Sequence, residues 1–304
     1  MRTDSPDVER LATPPAFQQL GFGRKLKNNS ATVVFTAAFG LAVIPLLWVL
    51  YTLLERGLAP LLTPTWFTNS FNGLLPTDFG GGVYHALVGT LQQAAVCALV
   101  CVPLGVMVGV YLVEYGRDSR LAKTATFMVD ILSGLPSIVA GLFIYALWIT
   151  TFGLDRSGFA VALALVLLML PVVVRVTETM LLIVPDELRE ASYALGVPKW
   201  KTIVKIVLPT ALSGILTGIM LGLARIMGET APLLILVGYS SAINFNLFQG
   251  EQASLPLTIF MERSTGTAAG EARMWGAALT LVLLIMLINL LATLLSKVFA
   301  VKTK

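Results

Sequence analysis

Between Asp78 and Glu114 the chain reads FGGGVYHALVGTLQQAAVCALVCVPLGVMVGVYLV, residues 79–113: 35 positions without an Asp, Glu, Lys or Arg. A hydrocarbon core about 30 Å thick needs roughly 20 apolar residues in a helix, so this run crosses a bilayer with residues to spare. Other uncharged runs lie on either side of it. There are 27 such residues between Lys27 and Glu55, 24 between Asp130 and Asp155, 18 between Arg156 and Arg175, 19 between Lys205 and Arg225, and 23 between Arg273 and Lys297. Even the shortest reaches about 27 Å at 1.5 Å per residue. The expectation is an all-α integral membrane protein with six transmembrane helices, roughly at residues 31–54, 85–113, 124–151, 158–175, 210–236 and 275–298. Composition agrees: 56% of the 304 residues are hydrophobic and 12% are charged, whereas a soluble domain carries about 25% charge. Both an ordinary soluble globule and a disordered chain are excluded.

The formal net charge of +4 points to nucleic acid only until the basic residues are located. Arg2, Arg10, Arg24, Lys25 and Lys27 precede the first span, and Arg117, Arg120 and Lys123 follow the second. Arg175, Arg189, Lys199, Lys201 and Lys205 follow the fourth, and Lys297, Lys302 and Lys304 follow the sixth. The opposite side has only Arg56, Arg156, Arg263 and Arg273. This asymmetry places both termini in the cytoplasm. The polar arm ahead of a long first helix does not suit a cleaved export signal. Residues 1–29, rich in Pro, Ser and charge, are expected to be a flexible cytoplasmic arm. Residues 30–84 hold the first helix and an external loop, 85–298 five further helices, and 299–304 a cytoplasmic tail. Cys97 and Cys101 share a helix face and suit packing, and one histidine, His85, makes no zinc site with them. Without a Gly-Lys dipeptide the chain has no P-loop, and it has no G-x-S-x-G or H-E-x-x-H either.

The loop at 176–209 is the longest stretch between spans on the cytoplasmic side. Pro185, Asp186 and Glu187 suit a helix start. Gly196 suits its end, and Pro198 prevents continuation. A second short helix is expected from Lys199 to Val207, with Trp200, Ile203, Val204 and Val207 on one side and Pro209 starting the next span. Such a pair is either a connector lying on the bilayer or a docking element, and small residues at 191, 192 and 194 permit close approach by another protein. Glu190-Ala191-Ser192, three residues, Gly196, nine residues and Ile206-x-Leu208-Pro209 resemble the E-A-A-x3-G-x9-I-x-L-P loop of ABC importer permeases, with Ser for Ala at the third position. The resemblance implies a type I permease fold whose coupling helix, Glu190 to Gly196, sits in a cleft of an ATPase subunit. ATP and Mg would then be bound by that partner, with no cofactor on this chain.

The fifth span carries an arginine. Arg225 lies 15 residues past Thr210, about 22 Å along the axis, where an unpaired Arg costs at least ~2.5–3.5 kcal/mol. On a helix turning about 100° per residue, Gly214, Gly218, Gly222, Arg225, Glu229 and Pro232 fall within about 80° of one another. Glycines at that spacing mark a close helix seam. Two readings follow: an Arg225–Glu229 structural pair, or a site for a permeating anion facing a polar path. Arg225-x-x-Gly228-Glu229-Thr230-Ala231-Pro232 resembles the permeases of the phosphate-specific ABC importer, most closely the PstA type. So do Gly89-Thr90-Leu91, Pro103-Leu104-Gly105, Tyr111-Leu112-x-Glu114-Tyr115 and Asp130-x-Leu132-Ser133-Gly134-x-Pro136-Ser137-Ile138-Val139-x-Gly141.

A guanidinium offers phosphate a bidentate fork. Glu229 is expected to orient Arg225 and to disfavour a dianion without a proton. Ser133 and Ser137, around Pro136, stand either at a packing kink or at a break exposing amides to an anion. Glu114, Asp130 and Glu178 suit interfacial ion pairs. The Gly80-Gly81-Gly82 run suits an external hinge, and segment 237–274 is either inert or touches a delivering protein. The resemblance implies import of inorganic phosphate across the cytoplasmic (inner) membrane. It implies as partners a second, related permease chain, a pair of ATP-binding subunits and an extracytoplasmic phosphate-binding protein, with membrane lipid around them and no nucleic acid. Alternatives are a permease for another oxyanion, an ion-coupled transporter or channel working without an ATPase, and an intramembrane enzyme, for which no nucleophile–base motif is present.

Overall fold

The computed structural model describes residues 22–116 and 119–299. Described helices are α1 (Phe22–Leu61), α2 (Tyr84–Val110), α3 (Arg120–Ser133), α4 (Ser137–Ile144), α5 (Gly158–Ile183), α6 (Asp186–Ala194), α7 (Lys199–Thr202), α8 (Leu208–Met227), α9 (Ala231–Leu236), α10 (Leu255–Ser264) and α11 (Ala268–Phe299). No strand occurs among the described residues. Three π turns extend helices: Tyr111–Tyr115 after α2, Tyr145–Thr151 after α4, and Ile203–Val207 between α7 and α8. The chain divides into a part up to Thr52 and a compact unit from Leu53 onward. In the first part α1 begins at Phe22, earlier than the expected 31. The rest of the arm, Arg117 and the tail beyond residue 299 lie outside the described residues.

Among the described residues five continuous helices are long and apolar enough to span a bilayer: Gly23–Leu61, Tyr84–Tyr115, Gly158–Ile183, Lys199–Met227 and Ala268–Leu294. The sixth expected span, 124–151, is instead two helices, α3 and α4, bent by 108°. Gly134 caps α3 and Pro136 precedes α4; a proline has no N–H for the helical ladder, so the break falls there. The fifth span differs in two ways. Its helix runs unbroken from Lys199 through Pro209, because Leu208 N–H reaches back five residues to Ile203 O, and the π turn absorbs the bond the proline cannot make. At the other end it stops at Met227 with Gly228 as cap, and α9 starts afresh with Pro232 in its first turn. The sequence pattern also missed α10, in the stretch expected to be external loop.

α5 is the centre of the fold, and its close packing follows from glycines on two neighbours. A Cβ on Gly105 or Gly109 of α2 would lie 2.6 Å from Val173 Cγ1 or 2.7 Å from Thr177 Cβ. On α8, a Cβ at Gly214 would meet Met180 Sδ at 2.1 Å, and one at Gly218 would meet Val176 Cγ1 at 2.1 Å. At Gly222 the nearest atom, on Val172, is 3.5 Å away. The Gly-x-x-x-Gly-x-x-x-Gly series of α8 is therefore a seam on α5, closing over Met180, Val176 and Val172 at the matching four-residue interval. Such approach gains dispersion contacts that lipid tails cannot match.

In the loop after α1, Trp66 is buried, its indole N–H donating to Thr280 Oγ1 of α11 at 2.9 Å. The glycine run below it is a packed turn rather than a hinge: a Cβ on Gly82 would meet the carbonyls of Thr65 and Asn69 at 2.5 Å. Arg273, also buried, pairs with Glu262 at 2.6 Å and donates to the carbonyls of Asp78 (2.5 Å) and Pro76 (3.2 Å).

The seam makes a graded expectation. Gly218→Ala places a methyl against stiff, β-branched Val176, whose own Cβ is 2.8 Å away, and is expected to destabilise by about 1–3 kcal/mol. Gly214→Ala meets the movable end of Met180 and costs less, and Gly222→Ala has room. Thermal melting of the three variants in detergent checks the order.

Candidate functional site

The α8–α9 junction arises from Gly228 and Pro232. Gly228 N–H bonds Arg225 O and Glu229 N–H bonds Ile226 O, both at 3.2 Å, so the helix closes in a last tight turn. Arg225 is in that turn, where a cation complements the negative end of the helix dipole. Its side chain is exposed, and it makes no ion pair or side-chain hydrogen bond among the described residues.

This corrects the expected stripe. Arg225 and Glu229 do not share a helix face, because the helix ends between them. Arg225 keeps the face of the glycines, because α8 is continuous from Leu208 to Met227, but its side chain is exposed rather than buried against α5. A guanidinium buried against α5 without a partner would be costly. Glu229 is half-buried and lines a cavity of about 10 Å³ with Thr90, Gln93 and Ser254, whose hydroxyl is buried without a hydrogen-bond partner. Thr230 is half-buried beside it.

The break in the third span comes close to this junction. α4 packs on α9, and a Cβ on Gly141 would lie 3.2 Å from Pro232 Cα. Ser137 opens α4 and is half-buried. Ser133, exposed at the end of α3, donates back to Val129 O at 2.8 Å. Neither serine is hydrogen-bonded to Arg225 or Glu229 among the described residues. Sequence reading passed over Gln92-Gln93, a polar pair inside the apolar α2. Gln93 donates to Gln252 Oε1 at 3.1 Å and Gln252 to Gln92 Oε1 at 2.6 Å, so residues 250–254 are drawn inward. Among the described residues no group of three or more His, Cys, Asp or Glu is placed to hold a metal. Cys97 and Cys101 are buried, Cys97 beside Met169 Sδ at 3.8 Å.

The loop between the fourth and fifth spans folds as two helices. Gly196 N–H bonds Tyr193 O at 2.9 Å and Val197 N–H bonds Ser192 O at 3.2 Å, a Schellman ending that needs the left-handed φ of +73° at Gly196. Glu190, Ala191 and Gly196 are exposed, as are Tyr193, Leu195 and Trp200. Ser192 is not: it is buried and hydrogen-bonded to Thr202 at 2.8 Å, so it joins α6 to α7 instead of facing outward. Trp200 and Val204 are exposed while Ile203 and Val207 are buried, which splits the four residues expected on one side between two faces. Ile206, Leu208 and Pro209 are half-buried at the root of α8. Arg175 is hydrogen-bonded to Asp130 and, at 2.7 Å, to Glu178.

Two broken spans, a helical hairpin ahead of the fifth span and an exposed cation on that span define a polytopic helical membrane protein. Residues 102–304 match the family described as binding-protein-dependent transport system inner membrane component, and the chain belongs to that family. It is 56% identical over 285 residues to phosphate transport system permease protein PstA 1 of Mycobacterium tuberculosis (strain CDC 1551 / Oshkosh), covering 94% of this chain and 93% of that one. It is 57% identical over 283 residues to phosphate transport system permease protein PstA of Mycobacterium leprae (strain TN), covering 93% of each. The fold resembles a chain in the crystal structure of a bacterial alginate ABC transporter in complex with alginate pentasaccharide-bound periplasmic protein: TM-score 0.64, 13% identity, 90% of this chain and 96% of that one. The architecture is thus the type I ABC importer permease fold.

The buried hydroxyl pair sets an expectation for the loop. Thr202→Val leaves the Ser192 hydroxyl buried without its partner and is expected to cost about 1–3 kcal/mol. Ser192→Ala with Thr202→Val removes both and restores part of the loss, which a double-mutant cycle of melting temperatures reads directly.

Proposed function

We propose that the chain is the membrane permease subunit of an ATP-driven importer of inorganic phosphate. The observation that carries the reading is Arg225, an exposed cation on a membrane span with no partner among the described residues. A charge on an apolar span needs compensation from outside the chain. A passing oxyanion supplies it transiently, and the names of the relatives point to phosphate.

Arg225 has all its donors free for two phosphate oxygens. The backbone break leaves Glu229 facing a separate polar cavity, so its part is electrostatic. A fixed carboxylate near the path disfavours an anion that has no proton to donate, as sulfate has none. Thr230, Ser133 and Ser137, at two neighbouring breaks, are the remaining groups the anion passes. The exposed face of the cytoplasmic hairpin, with Glu190, Ala191 and Gly196, docks on an ATP-binding subunit, one of a pair that binds ATP and Mg and carries out hydrolysis. A second, related permease chain completes the membrane pathway, and an extracytoplasmic binding protein delivers phosphate to it. The subunit resides in the cytoplasmic membrane with both termini inside, a reading supported by the Lys/Arg asymmetry. ATP closes the partner subunits, the hairpin moves with them, the pathway opens outward and hydrolysis resets it. This chain performs no covalent chemistry.

The test is reconstitution with the partner subunits, measuring phosphate uptake and phosphate-dependent ATP hydrolysis. Arg225→Gln is expected to lower uptake by at least about tenfold, the loss of charge-assisted hydrogen bonds worth about 1.5–3 kcal/mol. Arg225→Lys falls between the two, because an ammonium lacks the planar fork. Wild-type uptake by Arg225→Gln would refute the site. Glu229→Gln is expected to narrow the preference for phosphate over sulfate, read as stronger inhibition of phosphate uptake by added sulfate.

A further inference from the structure

The most completely coordinated charge in the described structure is in the cytoplasmic hairpin. Arg189 of α6 is nine-tenths buried, and its guanidinium makes five hydrogen bonds. Nε and Nη2 donate to Glu114 Oε1 at 3.1 and 2.9 Å, and Nη2 also donates to Leu181 O at 2.9 Å. Nη1 donates to Val184 O at 2.7 Å and to Asp186 Oδ1 at 2.9 Å. A guanidinium has five N–H donors in a fixed plane, so each is used. The acceptors lie on three elements: the π turn closing α2, the end of α5 and the first turn of α6. Lys199, opening α7, adds a second tie to the same place. Its ammonium donates to the Glu114 carbonyl and stands 5.0 Å from the centre of the Tyr115 ring.

The topology says what these bonds are for. α6 follows α5 directly through Val184 and Pro185, and α7 runs into α8 as one helix. Displacement of the hairpin therefore reaches α5 and α8 through the covalent chain. It reaches α2 by no such route, although α2 packs along the length of α5. We infer that the Arg189–Glu114 contact is the strut that moves the cytoplasmic end of α2 with the hairpin, so that α2, α5 and α8 respond as one body when a nucleotide-driven partner displaces α6. Arg189 and Glu114 are positioning residues, remote from the anion. The inference rests on the proposed function, in which α6 docks on an ATPase subunit.

A flexible tether would not serve. A bundle of five bonds in one plane resists both sliding and rotation, and burial shields from water those to Glu114, Leu181 and Val184, with the bond to exposed Asp186 at the rim. Neutralising Glu114 without removing its carbonyl oxygen keeps an acceptor for Nε and Nη2, and truncating it does not. The two changes thus separate geometry from charge.

The experiment uses the assembled transporter in vesicles, with phosphate imported per ATP hydrolysed as the readout. If the wild-type chain brings down no ATPase, the docking reading itself fails and the variants are not needed to see it. With an ATPase present, Glu114→Ala is expected to retain the partner and the basal hydrolysis rate while phosphate per ATP falls roughly 2- to 30-fold, the range for residues that carry coupling. Glu114→Gln is expected to keep more than half of the wild-type ratio. If Glu114→Ala does not assemble, because Arg189 is left buried and unpaired, Glu114→Asp takes its place: it keeps the charge, is one methylene too short, and is expected to lower the same ratio. An unchanged ratio in whichever of these assembles overturns the strut. So does an equal fall in Glu114→Gln and Glu114→Ala, since charge rather than contact would then be at work.

Discussion

Everything in the compact unit is organised by the fit between α5 and the glycines pressed onto it from two sides. In lipid, apolar side chains gain nothing by leaving one hydrocarbon for another, so helices associate only where they come close enough for dense contact. α2 supplies Gly105 and Gly109 and α8 supplies Gly214 and Gly218, and the space is taken by Val173, Thr177, Met180 and Val176 of α5. The β-branched fillers have few rotamers, which makes the seams specific in register as well as tight. The helices that carry Arg225 and Glu114 are thus held to a common reference.

Against this rigid centre the arrangement of charge becomes informative. Arg189 and Arg273 are both buried, and each is matched by a carboxylate and backbone carbonyls. Arg175, half-buried on α5, has two carboxylates. Where this protein needs a structural arginine, it surrounds the guanidinium with acceptors, as the cost of burying an unpaired ion demands. Arg225 departs from that pattern. It sits on a span and has no acceptor among the described residues, although Glu229 is only four positions on and would have paired had the helix continued. Gly228 and Pro232 prevent it. The break therefore leaves Arg225 without an ion pair among the described residues, which on the proposed reading suits a transient anion partner.

How much was legible in advance follows from what each signal measures. Uncharged runs located the five continuous spans and the bent pair among the described residues, because the bilayer punishes charge residue by residue and the sequence states charge outright. The hairpin was legible because Pro185, Gly196 and Pro198 act on their own backbone, and Gly196 has the positive φ its position demanded. Breaks were harder. A helical wheel takes the helix for granted, so it aligned Arg225 with Glu229 across a junction that no periodicity reveals. The π turn that carries the chain through Pro209 was invisible for the same reason: it depends on a bond to Ile203 made five residues back. Ser192 was read as an outward docking residue from its small size, but small residues also suit tight interiors, and only Thr202 opposite it decides between the two. The Arg189–Glu114 and Arg273–Glu262 pairs join residues 75 and 11 positions apart, and local spacing does not predict such partners.

The placement of the breaks bears on how such a subunit changes shape. A continuous helix transmits displacement along its length, whereas a junction without ladder bonds lets two halves move separately. The helix is continuous from Lys199 in the hairpin to Met227, which gives a direct covalent route from the hairpin to Arg225. Beyond Gly228 the helix does not continue, and α9 is held by α4, which lies beyond a break of its own. On the proposed reading, the cation moves with the cytoplasmic machinery, whereas α9 and α4, which pack on each other and on α5, are joined to their preceding helices only across breaks. The line between the two parts then runs through residues 228–230, the place where an anion would exchange Arg225 for whatever lies beyond it. Joining α8 to α9 as one unbroken helix would remove that division and neutralise the guanidinium with Glu229 in the same step.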